Sequence, residues 1–467
     1  MLRYPASTMP AKGIIGEASM QDGNGFGTTR RRLLGATAAS TLAAPWVARF
    51  ALGQSSFDWK RFKGEKIEVL LAKSPRSDLL QKHEKEFTEL TGIQVGSEQV
   101  PEQQQRQKQV IEFTSGATSF DVTGVSWHVQ KRLFGKGKWL SDLRPLLADP
   151  TLTAPDLDFD DFSKAGILFA TQPDGRMDTM PKFIDYWILY WNKELFQQAG
   201  IGYPDTYEEM VAAAKALTDP GKGQFGWVSR GLKNANVPVW TSFIQGWGID
   251  AIDPATGQVN CESEAAVKAA ELYKELNAKY APPGVAGFNW YECQANFMQG
   301  KIGMWFDGIG FAPPLEDPSK SRVVGKVGYG VMPKGPVARH SGMFGDGMGI
   351  SAYSKKQGPA WLYCQWATNK RNQARMLAAG AGSPVRNSAY RDPEALRNLK
   401  VPQGWVDALV ESGKIGRPSL PIVVPVTEFR DIYGVALTNM IGGADPKTEL
   451  RKATEQFLPI LEKSEKA

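Results

Sequence analysis

The segment from Pro181 to Thr218 constrains the fold of this chain more than any other stretch. It opens with an extended aromatic run, enters a first helix at Asn192-Lys193 and reaches a second helix at Thr206. Thr206 and Glu209 have the spacing of a capping box, in which the hydroxyl accepts from the Glu209 amide and the carboxylate reaches back to the cap amide. This order of elements predicts a strand followed directly by two helices.

The region before this segment also alternates between strand and helix. A strand over Lys66–Ala72 precedes a helix capped at Ser77-Asp78 and ended by Gly92, and short strands follow near residues 93–95 and 120–122. Such alternation indicates an α/β fold with a mainly parallel sheet, whose ligand loops lie at the carboxyl ends of the strands. The length of 467 residues favours two domains.

The first 53 residues have the pattern of a twin-arginine export signal. Thr29 to Leu34 carries the arginine pair, a small-residue apolar region follows to Val47, and Ala51-Leu52-Gly53 suits cleavage before Gln54. This segment holds six Lys or Arg and two acidic residues, which is most of the net charge of +6. No basic run lies beyond it, so we expect neither nucleic acid nor an anionic membrane surface as partner.

Four motifs in order resemble those of the extracellular solute-binding proteins of ABC importers, the sugar-binding family that includes the maltose-binding type. They are Trp191-Asn192-Lys193 with Leu195-Phe196, Ala199-Gly200-Ile201 and Pro204 to Glu209; Phe297 to Met304; Gly345 to Ala352; and Ser383-Pro384-Val385-Arg386. The matches extend from about Lys66 to Leu461. The resemblance implies the two-lobed periplasmic binding protein fold (type II-like), with lobes joined by a three-segment hinge.

The resemblance also implies where the lobes divide. We expect an N-terminal lobe of residues 54–183 and 306–350, and a C-terminal lobe of residues 184–305 and 351–467. The expected crossings lie near residues 181–185, 303–307 and 349–352.

Candidate ligand-binding residues lie after strands or beside these motifs. An indole offers a broad apolar face and one N–H donor to a sugar ring, and a carboxylate accepts hydrogen bonds from hydroxyls. On these grounds, and by resemblance to the family for Trp127, Trp240, Gly308 and the aspartates, the candidates are Ser74, Glu98, Trp127, Asp185, Tyr186, Trp187, Trp240, Asp307, Gly308 and Arg386. Gly310-Phe311, where the maltose-binding type has a tryptophan, favours a smaller sugar or a polyol over maltodextrin.

Residue patterns for catalysis are missing from the sequence. It contains three histidines and no His-Glu-x-x-His, Gly-x-Ser-x-Gly or closely spaced cysteine pair. We therefore expect no enzyme activity, cofactor or metal, and free buried thiols at Cys261, Cys293 and Cys364. Two alternatives stay open: a periplasmic carbohydrate-active enzyme with a carboxylate pair in the cleft, and the same fold binding a polyamine. Lack of clustered arginine in the sequence motifs makes phosphate a weaker candidate than a sugar.

The resulting functional expectation is a periplasmic solute-binding protein of an ABC importer. It would capture a carbohydrate or polyol by closure of the lobes and deliver it to permease subunits. We expect a monomer, exported by the twin-arginine route, with no permanent membrane span because no stretch of 18 apolar residues occurs.

Overall fold

The structure, a computed structural model, describes residues 57–466. The expected export signal over residues 1–53 lies outside the described residues. The strands of the described part are β1 (Lys66–Ala72), β2 (Gln94–Val100), β3 (Val122–Ser126), β4 (Met180–Asn192), β5 (Phe225–Val228), β6 (Ile302–Gly308), β7 (Val327–Val331), β8 (Ser341–Ile350) and β9 (Gly416–Pro418).

The helices surround these strands. In chain order they are α1 (Pro75–Lys82), α2 (Glu84–Thr91), α3 (Glu102–Ser115), α4 (Trp127–Gly137), α5 (Arg144–Ala148), α6 (Lys164–Ala170), α7 (Lys193–Ala199), α8 (Tyr207–Ala216), α9 (Val237–Gln245), α10 (Glu264–Lys279), α11 (Trp290–Met298), α12 (Gln357–Ala367), α13 (Lys370–Ala378), α14 (Pro393–Arg397), α15 (Gln403–Lys414), α16 (Val426–Ile441) and α17 (Pro446–Lys466).

Strand β4 connects two halves of a mixed sheet whose order is β2-β1-β3-β8-β4-β6-β5. Its first part, up to Tyr186, pairs with β8, and its second part, from Trp187, pairs with β6 and β7. We call β1, β2, β3, β8 and β9, with the first part of β4, the first half of the sheet. We call β5, β6 and β7, with the second part of β4, the second half. The α/β class predicted from the sequence is confirmed, and β1 is parallel to β2 and β3 as expected.

The helix starts in the opening segment follow the sequence prediction. Asn192 caps α7 by accepting from the amides of Glu194 and Leu195. Thr206 caps α8 by accepting from the Glu209 amide at 3.2 Å. The Glu209 carboxylate differs slightly from a capping box, because it accepts from the amide of Asp205 at 2.7 Å.

The strand pairing shows where the segments of the expected crossings lie in the sheet, and the lobe boundaries stay a prediction. The first expected crossing lies beside the change of partner within β4. Strand β6 pairs only with β4 and β5 in the second half, and residues 349–350 pair with β3 in the first half. Strand β7, inside the range expected for the N-terminal lobe, pairs in the second half, and α12, expected in the C-terminal lobe, packs into the core around β1 and β8.

A packing requirement explains the glycine row in β8 that suggested a crossing. A Cβ at Gly345 would lie 2.6 Å from the Phe183 carbonyl oxygen, and one at Gly347 would lie 2.5 Å from the Thr179 Cβ. Both glycines therefore admit neighbouring chain segments to the strand surface, which gives them a structural role in packing.

Buried apolar clusters lie on both halves. In the first half, one cluster joins β1, β8 and α12 and another joins β1 and β3 with α3 and α4. The second-half clusters join β6 with α9, α10, α15 and α16. Cys261, Cys293 and Cys364 are buried and free, as expected. Among residues 57–466, we find no helix with both the length and the apolar character needed to cross a membrane.

Candidate functional site

A cleft lies where the two halves of the sheet meet, with about 800 Å³ of space between protein atoms that includes solvent at its open side. Its lining residues are Leu71, Ala72, Lys73, Ser74, Arg76, Ser77, Glu102, Gln105, Arg106, Gly124, Ser126, His128, Lys182, Phe183, Trp187, Arg230, Pro238, Trp290, Phe311, Phe344, Asp346, Ser419 and Arg430. We refer to this set as the cleft.

The carboxyl ends of parallel strands supply much of the cleft. In the first half, Ser74 follows β1, Glu102 follows β2 and Ser126 ends β3. In the second half, Arg230 follows β5 and Phe311 follows β6. Backbone groups and side chains converge at this edge in α/β sheets, so the position is the one where such folds bind ligands.

A buried ion pair lies at one side of the cleft. Arg76 Nη1 donates to Asp185 Oδ2 at 2.6 Å and to the Ala381 carbonyl at 2.9 Å, while Asp185 Oδ1 accepts from the Ser383 amide at 2.9 Å. The two side chains are 5% and 0% exposed. The Arg76 guanidinium lies 3.9 Å from the Phe183 ring centre, so the arginine is fixed by an acid, a carbonyl and an aromatic face.

Gly310 permits this ion pair to form. A Cβ at Gly310 would lie 1.9 Å from Arg76 Nη1 and 2.5 Å from Asp185 Oδ2. Any larger side chain would displace the guanidinium, so this glycine is required by close approach of the backbone.

A second buried ion pair lies in the other half. Arg230 Nε donates to Asp307 Oδ2 at 2.9 Å and Nη2 donates to Oδ1 at 2.5 Å, which is a bidentate arrangement. The Arg230 guanidinium lies 4.8 Å from the Trp187 ring centre. Each half thus presents to the cleft an arginine that a deeply buried aspartate holds in place.

Glu102 lies among three arginines. Although burial acts to raise its pKa, the charges of Arg106, Arg230 and Arg430 lower it to about 2. Arg106 Nη2 lies 3.6 Å from the Glu102 carboxylate, and Asn289 Nδ2 donates to Glu102 Oε1 at 3.4 Å. Glu102 is therefore ionised at neutral pH and connects α3 of the first half to the start of α11 in the second.

Several buried polar atoms that line the cleft have no hydrogen-bond partner among residues 57–466. They are Trp187 Nε1, Ser419 Oγ, His128 Nδ1, and Nε and Nη1 of Arg106. Aromatic rings lie among them, including Trp290 and Phe311, which stack with ring centres 4.7 Å apart. Unpaired donors and acceptors beside flat apolar faces suit a ligand that carries both C–H surface and hydrogen-bonding groups.

Five of the residues predicted from the sequence lie at the cleft or directly behind it. Ser74 and Trp187 line it. Asp185 and Asp307 hold Arg76 and Arg230, so their carboxylates are occupied by protein donors. Gly308 pairs with Trp187, and a Cβ there would lie 2.6 Å from the Phe344 ring.

Three predicted residues lie in cores instead. Trp127 donates to Thr179 Oγ1 at 2.9 Å and stacks on Phe169, and Trp240 donates to the Ala266 carbonyl at 3.1 Å. Arg386 donates to the carbonyls of Thr368 and Asp158 and lies 3.9 Å from the Phe162 ring. Their hydrogen bonds and packing give these side chains structural partners away from the cleft.

Tyr186 and Glu98 also lie away from the lining. Strand alternation turns Tyr186 to the face opposite Asp185 and Trp187, where a Cβ at Gly416 would lie 2.6 Å from its ring. Glu98 Oε2 pairs with Lys108 Nζ at 2.5 Å in an exposed position.

The sequence motifs did not indicate the cleft residues Glu102, Arg106, Arg230, Trp290 and Arg430. Glu102 and Arg230 follow β2 and β5, so the rule of carboxyl strand ends could have selected them. Arg430 lies on α16, far along the chain, and no local pattern marks it as a neighbour of Arg106.

Comparisons with known proteins identify the family of this chain. The family model described as "Bacterial extracellular solute-binding protein" matches residues 73–374. The Erythritol/L-threitol-binding protein of Mycolicibacterium smegmatis is 26% identical over 417 residues, covering 85% of this chain and 86% of that protein. The "Probable amino-acid ABC transporter periplasmic-binding protein y4oP" of Sinorhizobium fredii is 29% identical over 351 residues, covering 72% and 76%.

A solved structure is similar over nearly its whole length. The ABC transporter solute-binding protein from Agrobacterium radiobacter K84, in complex with ribitol, has a TM-score of 0.75 and 28% identity, covering 84% of this chain and 98% of that one. The family model covers well over half of the chain. The chain therefore belongs to the bacterial extracellular solute-binding protein family.

Proposed function

We propose that this protein is the solute-binding component of an ABC importer and that it captures a polyol or small sugar in the cleft. The observation that carries the proposal is the set of buried, unpartnered polar atoms that line the cleft beside aromatic faces. A polyhydroxylated ligand supplies both donors and acceptors to such atoms and lays its C–H surface on the rings. The relatives named for erythritol/threitol and the structure bound to ribitol support the same ligand class.

Ser419 offers a sharp test of the site. Its hydroxyl is buried, lines the cleft and has no partner among residues 57–466, and the Ser412 hydroxyl is equally buried and unpartnered but lies outside the lining. One neutral hydrogen bond contributes about 0.5–1.5 kcal/mol. We expect Ser419→Ala to weaken polyol binding about twofold to twelvefold, by that free energy, and Ser412→Ala to leave it unchanged.

The measurement is isothermal titration calorimetry with a ligand chosen from a thermal-shift screen of alditols, sugars, amines and amino acids. A ligand that binds only the folded protein raises its melting temperature by mass action. Equal affinities in the two serine variants would remove the cleft as the binding site. A screen in which only amines raised the melting temperature would contradict the ligand class.

The proposed mechanism is closure of two lobes about the segments that connect the halves of the sheet. A ligand held by Arg76 and Ser126 on one side and by Trp187 and Arg230 on the other contacts both halves, so it stabilises the closed arrangement through its differential affinity. No bond in the ligand changes. Small-angle scattering with and without ligand measures the effect, and an unchanged radius of gyration at saturation would contradict closure.

Intact recovery of the ligand separates transport from catalysis. After prolonged incubation with the protein, we expect chromatography to return the oligosaccharides and polyols unchanged. Turnover would favour the alternative of a periplasmic carbohydrate-active enzyme. A monomer is expected on size-exclusion chromatography with light scattering.

Delivery by the twin-arginine route is part of the proposal. We expect replacement of Arg30 and Arg31 by Lys to retain the protein in the cytoplasm, whereas Arg32→Lys, at the neighbouring position, leaves export intact. Fractionation followed by immunoblotting checks both variants. Periplasmic recovery of the double variant would contradict the route.

A further inference from the structure

The acids around the cleft do not match its arginines one to one. Arg76 is held by Asp185 and Arg230 by Asp307. Arg106 and Arg430, which also line the cleft, both lie near Glu102. Two arginines therefore share one carboxylate.

Other acids nearby do not remove this imbalance. Asp346 lines the cleft together with Lys182, and the charges of Lys182, Arg76 and Arg106 all favour its ionised form, so this one carboxylate is divided among three cations. The charge of Asp431 favours the charged form of Arg430, but its carboxylate accepts from Asn234 Nδ2 at 2.9 Å and forms no ion pair with Arg430 among the described residues.

The guanidinium groups of Arg106 and Arg430 retain donors for a further acceptor. Nε and Nη1 of Arg106 are buried with no partner among the described residues. Arg430 is 2% exposed, and its Nε donates to the Asn234 carbonyl at 3.1 Å. Burial and the charge of Arg106 lower the pKa of Arg430 to about 9, so the cations disfavour each other in the absence of a further anion.

We propose that the solute carries an anionic oxygen group, a carboxylate or a phosphate, which Arg106 and Arg430 bind, while its hydroxyl groups meet Ser126, Ser419 and Trp187. Guanidinium groups bind such oxyanions through paired, charge-assisted hydrogen bonds. An aldonic acid or a polyol phosphate has this combination of groups. The same arginines disfavour a polyamine by repulsion. This inference rests on the proposed function and specifies its ligand.

The test uses ligands that differ only in their charged group: ribitol, ribonate and ribitol 5-phosphate, titrated into the mature protein at neutral pH and low salt. We expect at least one acid to bind about tenfold or more tightly than ribitol. The acid that binds more tightly shows whether the anionic group of the solute is a carboxylate or a phosphate. The parallel series of glucitol, gluconate and glucitol 6-phosphate guards against a chain-length effect.

The outcomes separate this inference from the proposed function. Ribitol or glucitol binding as tightly as its acids would overturn the anionic ligand and leave polyol capture intact. Absence of binding by all six, with a response to amines or amino acids in the thermal-shift screen, would overturn both.

Variants locate the anionic group. We expect Arg106→Gln and Arg430→Gln each to reduce the affinity ratio of acid to neutral ligand about tenfold, whereas Arg106→Lys retains part of it. Arg371→Gln is the control, because Arg371 is 72% exposed, pairs with Glu86 and lies outside the lining. An unchanged ratio in both glutamine variants, with melting temperatures showing that they are folded, would place the anion elsewhere. The wild-type comparison does not depend on any variant folding.

Discussion

Asp185→Asn is the perturbation that most directly tests the architecture behind the cleft. It removes the counter-ion of Arg76, and the two side chains are only 0% and 5% exposed. Breaking a buried ion pair by removing one partner costs about 3–5 kcal/mol, because the remaining charge stays desolvated. Asp185 Oδ1 also accepts from the Ser383 amide, and the weaker hydrogen bond in the variant is included in this range of about 3–5 kcal/mol.

The size of the protein sets the expected change in melting temperature. With an unfolding entropy of about 2.1 cal/mol/K per residue and about 400 cooperatively folded residues, 1 kcal/mol corresponds to about 1 °C. We therefore expect the variant to melt about 3–6 °C below the wild type, measured by circular dichroism at neutral pH without ligand.

Two further variants make the result interpretable. Glu194→Gln removes the acid of an exposed pair with Lys326, at 2.7 Å and about half exposed, and we expect a shift below about 1 °C. The double variant Arg76→Met with Asp185→Leu replaces the pair by apolar side chains and should recover most of the loss. If Asp185→Asn had the same melting temperature as the Glu194→Gln control, the cost assigned to the desolvated ion pair would be refuted.

Three other variants test a close approach, a buried aromatic stack and a buried carboxyl group. Gly310→Ala places a Cβ 1.9 Å from Arg76 Nη1, and we expect a loss of about 1–3 kcal/mol in urea unfolding together with weaker ligand binding. Trp127→Ala removes the stack on Phe169 and should cost about 3–5 kcal/mol while calorimetric affinity is retained; lost affinity at unchanged stability would contradict its core position. Burial raises the pKa of Asp178 from 3.8 to about 6, so folding favours its neutral form, and its contribution to stability falls as pH rises from about 4 to 6. Asp178→Asn should therefore gain stability relative to wild type across that interval, and a constant difference would contradict the shift.

Local patterns predicted the elements and part of the site. The caps at Asn192 and Thr206 depend on neighbours within three residues, so the sequence alone was sufficient for them. Strand alternation places Asp185 and Trp187 on one face, but it does not reveal that Arg76 occupies the carboxylate. Burial of Trp127 and Trp240 depends on elements distant in sequence, so loop position alone misassigned their surroundings.

The acidic residues that seemed suited to a sugar have a different role in the assembled cleft. Asp185 and Asp307 lie behind the surface and neutralise arginines that would otherwise be costly to bury. The charged groups that line the cleft at these positions are therefore the guanidinium groups of Arg76 and Arg230. Glu102 differs from these aspartates because its carboxylate itself lines the cleft, where it lies near Arg106 and Arg430 and accepts from Asn289. An anionic solute would bind the same two arginines as Glu102. Because Glu102 also accepts from Asn289 of the other half, binding of the anion would change the contact between the halves. The charge of the ligand would then be linked to the relative placement of the two halves.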